Sequence, residues 1–212
     1  MIEIETAPPS TLTRELPITT RFDSERLIAE YPRPEVKADR SVDTRARKSA
    51  KLIPFVFMHL ACFAVLFVGI SLPAVLLCVA LYALRMFALT AGYHRYFAHR
   101  SFKTSRVFQF VLALLGTTAV QKGPLWWAAH HRRHHRYSDQ EGDVHSPVQE
   151  GFWWSHLGWI VSPRFDPTDW DAIKDFARYP ELRWLNKYHL IPPITLAVLL
   201  FLVGGWQWLV WG

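Results

Sequence analysis

The sequence has only two cysteines in 212 residues, Cys62 and Cys78, both inside apolar runs and neither in a Cys-x-x-Cys or Cys/His spacing. That excludes a disulfide scaffold and a thiolate-built zinc site, and both residues read as small buried hydrophobes. The first fifty residues lack any apolar stretch, so no signal peptide is expected. Prolines at 8, 9, 17, 32 and 34 with interleaved charge mark residues 1–51 as a polar, disordered cytoplasmic N-terminus. Charge is nearly missing from 52 to 90, where Arg85 is the lone ionised side chain and His59 the other polar exception. Internal repeats and low-complexity tracts are absent as well.

Half of the residues are apolar, 15% are aromatic, and ten are tryptophan. The runs 52–70 and 72–90 are each about 19 residues, or about 28 Å as helix. That matches the roughly 30 Å hydrocarbon core of a bilayer. Ser71, Leu72 and Pro73 lie at their junction, so a tight helical hairpin is expected. Arg40, Arg45, Arg47, Lys48 and Lys51 precede it, opposed only by Asp43, which places that end in the cytoplasm. A hairpin crosses twice, so residues 92–189 return to the same side. The apolar run 107–120 is too short to span and reads as a buried or interfacial helix, with Thr104 or Ser105 as its N-cap. Tryptophans mixed with charge over 151–185 suit elements at headgroup depth, and Asp166-Pro167-Thr168-Asp169 signals a turn and helix start. Residues 191–211 form a third apolar span with Pro192 and Pro193 in its first turn. The fold class expected is therefore an all-α integral membrane protein: a transmembrane hairpin, a cytoplasmic helical His-rich region and a third transmembrane helix, with the membrane domain covering 52–212.

The chemistry is concentrated in histidine. Six of the ten lie between His94 and His135, and His145 follows. His94 and His99 are five residues apart, a step that puts side chains about 140° apart on a straight α-helix. Both reach one centre only if the helix ends or bends there. His131, His134 and His135 stand at i, i+3, i+4 and share a helical face, although His130 with His134 is also an i, i+4 pair. Neutral imidazole suits Fe, Zn, Cu and Ni. The net charge of +6 also permits binding to nucleic acid. The histidines sit between membrane segments, however, and beside Trp126-Trp127, so nucleic acid is not the expected partner. His59, His156 and His189 read as ordinary core or interface residues.

These residues resemble a known family. His94-Arg95-Tyr96-Phe97-Ala98-His99-Arg100-Ser101-Phe102 resembles the first histidine box of membrane fatty-acid desaturases of the acyl-CoA, delta-9 type. The stretch from Pro124-Leu125-Trp126-Trp127 through His130-His131-Arg132-Arg133-His134-His135 to Asp139 resembles the second box in its bacterial form. Glu141 to Pro147 and Gly151 to Trp159 continue the similarity, which covers roughly residues 50–212.

The resemblance implies a His-ligated centre of two iron ions. That centre uses O₂ and two electrons to place a double bond in a saturated acyl chain carried as a CoA thioester or lipid. It assigns His94, His99, His131, His134 and His135 as metal ligands and puts Trp127, Arg136, Asp143 and His145 near the substrate. It also implies a multi-pass protein of the inner membrane. Electrons would come from a separate donor such as a ferredoxin, a rubredoxin or a cytochrome b5-like protein.

The family's third box, of the type His-Asn-x-His-His, has no counterpart after His135, and Asn186-Lys187-Tyr188-His189 does not match it. The chain is accordingly expected to be an N-terminal portion, inactive alone. The alternatives are a lipid hydroxylase or ketolase of the same superfamily, or a non-enzymatic remnant that binds lipid or metal.

Overall fold

The structure, a computed structural model, describes residues 45–212; the polar segment 1–44 lies outside the described residues. Helix α1, Arg45–Ala61, begins within the stretch expected to be disordered. It continues through a 3₁₀ turn, Cys62–Ala64, into a last helical turn, Val65–Val68. Gly69 then takes φ 72°, a left-handed conformation that side-chain-bearing residues rarely adopt, and the chain reverses. Ser71 opens α2, Leu72–Phe87, its Oγ accepting from the Ala74 N–H at 3.4 Å. The reversal therefore falls two residues earlier than expected. Pro73 belongs to the first turn of α2, where a missing N–H removes no hydrogen bond.

The largest departure lies beyond α2. The helix does not end at Thr90 but continues as a π-helix, Ala88–Ala98, which carries His94 and ends with His99 as its C-cap residue. Lys51–Val68, Leu72–Ala98 and Ile191–Trp211 are long and apolar enough to cross a membrane. All regular structure among the described residues is helical, as expected for this class of membrane protein.

Helix α3, Arg106–Thr117, is the short apolar element; Ser105 caps it, accepting from the Phe108 N–H at 3.2 Å. Helix α4, Pro124–Tyr137, carries the second histidine cluster, and α5, Pro180–Lys187, packs beside it. Asp169 starts the preceding turn by accepting from the N–H groups of Asp171 and Ala172. Helix α6, Ile191–Trp211, has its prolines in the first turn, as expected, but is not one straight span. Gly204 and Gly205 leave helical geometry, Gly205 with φ 60°, because two adjacent residues without Cβ tolerate the break. Past that break α6 meets the hairpin reversal. Ser71 Oγ donates to Gln207 Oε1 at 2.8 Å, and Trp211 Nε1 donates to the Gly69 carbonyl at 3.0 Å.

The apolar core lies under the histidines and not in the hairpin. Tyr93 and Phe97 from the π-helix, Leu112 and Ala113 from α3, Leu125 and Ala129 from α4, Ile173 and Phe176, and Leu182 and Leu185 from α5 form one buried cluster. Many large hairpin side chains, Leu66, Phe67 and Leu72 among them, stay exposed, as suits a lipid-facing surface. The π-helix and α4 are thus fixed to each other by a buried apolar core, and this determines where their polar faces meet.

Candidate metal centre

An i→i+5 hydrogen bond stacks residues five apart, and the π-helix does this for His94 and His99. The His99 N–H donates to the His94 carbonyl at 3.1 Å, and the two Nε2 atoms also lie 3.1 Å apart. The widened turn resolves the 140° problem, and the helix ends at Ala98, as the expectation of an end or a bend there required.

On α4, His131 and His135 are one turn apart, with their Nε2 atoms separated by 3.0 Å. The elements meet ring to ring: His94 lies 4.7 Å from His131 and His99 lies 4.6 Å from His135, measured between centroids. One ligand atom from each of the four imidazoles falls within 4.8 Å of the others.

Helix α4 has no N-cap side chain of its own, because Gly123 precedes it. Asn186 of α5 supplies the cap instead, accepting from the Trp126 N–H at 2.8 Å while donating to Thr168 Oγ1. Gly123 is required there, since a Cβ would sit 2.5 Å from Asn186 Cα. The residue that failed to match a third box thus helps to place the second.

His130 turns away from the four-histidine group. It is 7% exposed, Nδ1 faces the Trp126 carbonyl at 2.8 Å, and the ring packs 4.3 Å from Trp126. Burial lowers its pKa to about 4. His134 is also apart from the four. Its Nδ1 lies 2.9 Å from Asp143 Oδ1, and its ring stacks on His145 at 4.1 Å, so that His134, Asp143 and His145 make a second potential ligand group. The five histidines assigned together by resemblance are therefore divided four and one. Two residues assigned to the substrate, Asp143 and His145, stand beside the fifth. Trp127 stacks on His131 at 4.7 Å and donates through Nε1 to Gln121 Oε1. Arg136 is exposed and belongs to neither group.

The electrostatics favour neutral rings. Burial, then the neighbouring His135, His94, His99 and His134, press the His131 pKa down to about 3. His99 and His135 are lowered too, again by burial first and then by adjacent histidines. Two unprotonated ring nitrogens about 3 Å apart repel unless a proton or a cation lies between them. Nitrogens bound at about 2.1 Å to one ion, at right angles, would be about 3.0 Å apart. The donor set and its spacing therefore fit a metal ion.

Asp143 has a fully buried side chain. Burial raises its pKa, but hydrogen bonds from His134 and from the Asp139 and His145 N–H groups outweigh this and hold it below the ordinary carboxylate value. Accepting from Nδ1–H, it leaves the His134 Nε2 lone pair available. Sequence reasoning placed Asp143 near the substrate and saw no link to His134, nine residues away.

The sequence profile of the family described as fatty acid desaturase matches residues 70–212. An sn-2 palmitoyl-lipid 9-desaturase of Nostoc sp. (strain 36) is 41% identical over 126 residues, covering 57% of this chain and 44% of that protein. An sn-1 stearoyl-lipid 9-desaturase of Anabaena variabilis is 42% identical over 127 residues, covering 58% and 46%. An acyl-CoA 5-desaturase of Anemone leveillei is 33% identical over 159 residues, covering 73% and 49%. The chain spans about half the length of the curated relatives it matches. The matched region contains both histidine-bearing helices and the core beneath them, and the chain belongs to the fatty acid desaturase family.

Proposed function

We propose that this chain forms the histidine-bearing part of a fatty-acyl desaturase that introduces a double bond into a saturated acyl chain. The observation that carries the reading is the convergence of His94 and His99 with His131 and His135 from stretches over thirty residues apart, with their ligand atoms within 4.8 Å. In this reading those four imidazoles hold one iron, and His134, oriented by Asp143, contributes to a second. Bound iron supplies the activation of O₂ that takes two hydrogens from a CH₂–CH₂ pair, consuming two electrons and two protons and releasing two waters. The chain's own residues bind and orient. Burial lowers the pKa of His99, His131 and His135, which favours their neutral form; Trp127 shields one side of His131 from water, and the core beneath fixes the two helices.

The substrate proposed is a long acyl chain esterified to a lipid or carried as a CoA thioester, as the names of the relatives suggest for those proteins. Trp127, Arg136, Asp143 and His145 remain the residues proposed near it. Electrons would arrive from a separate small redox protein. The basic residues ahead of the first span favour an inner-membrane orientation with the histidines in the cytoplasm.

The test is gas chromatography of lipids from cells expressing the full reading frame, as parent and as a His131→Ala variant, with iron counted per purified protein. New double bonds and iron in the parent but not the variant support the reading. Iron without new double bonds would leave a metal-binding protein that is not an enzyme, and neither one would sink the metal centre itself.

A further inference from the structure

The C-terminal end of the π-helix leaves carbonyl groups without helical partners, as every helix end does. Three are satisfied by the chain itself: the N–H groups of His99, Arg100 and Ser101 donate to the carbonyls of His94, Tyr96 and Arg95. The next two are satisfied from α4. Arg132 Nη2 donates to the Phe97 carbonyl at 2.6 Å, and Nε donates to the Ala98 carbonyl at 3.0 Å. The rest of the guanidinium is occupied as well. Nη1 donates to the Ala172 carbonyl, and Asp175 takes the fork in bidentate form, with Oδ1 and Oδ2 each 2.9 Å away. The arginine and Asp175 are only about one-fifth exposed, so solvent screens the pair weakly.

Arg132 directly follows His131, while Phe97 and Ala98 directly precede His99. One planar group thus ties the end of the π-helix to the middle of α4 and to a third segment. A cation at a helix C-terminus is also favoured by the helix dipole. π-Helices are rare, and an α-helical turn here would swing His99 about 140° from His94. Something must select the wider turn, and Arg132 occupies the Phe97 and Ala98 carbonyls, to which the N–H groups of residues 101 and 102 would donate if the chain ran on as an α-helix.

We propose that Arg132, held by Asp175, is a positioning residue that fixes the π-helical register of His99 and its distance from His131 and His135. The proposal rests on the metal reading for its consequence, but its geometry can be tested without metal. Lysine should not replace it, because an ammonium ion cannot supply the fork that reaches two carbonyls and a carboxylate together.

The experiment uses the full chain purified in detergent and stripped of metal, as parent, Arg132→Lys, Asp175→Asn and His131→Ala. Cobalt(II) serves as probe, read by affinity and by its visible absorption, and amide hydrogen exchange is read on the metal-free proteins. In Arg132→Lys we expect cobalt affinity to fall roughly 10- to 100-fold, with altered visible absorption. Exchange at residues 98–101 should rise at least about tenfold over the parent, while residues 107–117 exchange as before. Asp175→Asn should do the same to a smaller degree, and it provides the test if the lysine variant does not fold. A drop in thermal stability with affinity, absorption and exchange unchanged would make the contact merely structural and overturn the proposal. If the parent binds no cobalt at the site that His131→Ala removes, the metal reading fails. The exchange data then decide alone whether Arg132 holds the register.

Discussion

His94 and His99 present Nε2 atoms 3.1 Å apart because the backbone between them closes an i→i+5 hydrogen bond, also of 3.1 Å. An α-helix would have brought residue 98, not 99, beneath His94. This gives a sharp test. His99→Ala should lower cobalt affinity by at least about 100-fold, since loss of a ligand exceeds the 10- to 100-fold typical of outer-shell changes. Moving the imidazole one place, by combining His99→Ala with Ala98→His, restores α-helical i, i+4 spacing. It should not restore binding, because a π turn directs residue 98 into the core, where Ala98 is buried. Recovery of cobalt binding in the double variant would show that the turn is α-helical in solution.

The sequence discloses the spans and the chemistry more readily than the register. Long uncharged runs announce the hairpin because lipid accepts little else, and His131 with His135 is plain from an i, i+4 step. The π-helix has no hydrophobic period of its own that would separate it from a helix end, so continuation of α2 through His94 was not readable. The separation of His134 from its neighbours depends on Asp143, whose carboxylate is placed by the turn after α4. Arg132 looked like one more charge in a basic run. Its partner Asp175 is 43 residues away in an irregular segment, and no local pattern marks the pair. The break in α6 was written as Gly204-Gly205, but a glycine pair in an apolar run is equally compatible with a straight span.

Asp143→Ala should weaken metal binding at His134 while leaving the four-histidine group loaded. The carboxylate accepts from His134 Nδ1 and from the N–H groups of Asp139 and His145, so its removal frees the ring and leaves donors unpaired. Stability should fall by about 1–3 kcal/mol, the usual cost of orphaned buried polar groups. Asp143→Asn retains an acceptor and should recover much of that stability, but not the charge-assisted hold on the ring. Metal per chain and thermal unfolding, compared across the pair, separate the two effects. Equal metal content in all three proteins would rule out orientation of His134 by Asp143.

Gly116 marks where α3 approaches the π-helix, and it should not accept a side chain. A Cβ there would fall 2.2 Å from Cε1 of Tyr93, a ring that is fully buried and donates through its hydroxyl to the Lys122 carbonyl. The ring cannot move aside without displacing Phe97 or Trp127, which pack against it. Gly116→Ala should cost about 1–3 kcal/mol, as overpacking of a close-packed core does, and should also loosen cobalt binding because Tyr93 lies next to His94. A midpoint of thermal unfolding equal to that of the parent would mean that α3 is not seated against Tyr93.

Acid should unfold the metal-free protein through its histidines. With the His131 pKa near 3 in the folded chain and near 6.5 when unfolded, both states are neutral above pH 6.5, and no stability is at stake there. Between those values the unfolded chain binds a proton that the folded chain does not, so stability rises with pH and is lost as pH falls from 6.5 towards 3. His130, His99, His135 and His145 are shifted in the same direction, each with burial as the leading cause, and they add to the slope. One fully protected imidazole contributes up to about 1.4 kcal/mol per pH unit, and the more exposed rings, His99 and His135, contribute less because water screens them. A bound cation requires the same neutral rings, so it should move the onset of acid unfolding to lower pH, in proportion to its concentration over its dissociation constant. Denaturation followed between pH 7 and 4, with and without cobalt, measures both effects. A metal-free stability that stays flat below pH 6.5 would mean that these rings are protonated in the folded protein, and that they do not form a ready-made neutral donor set.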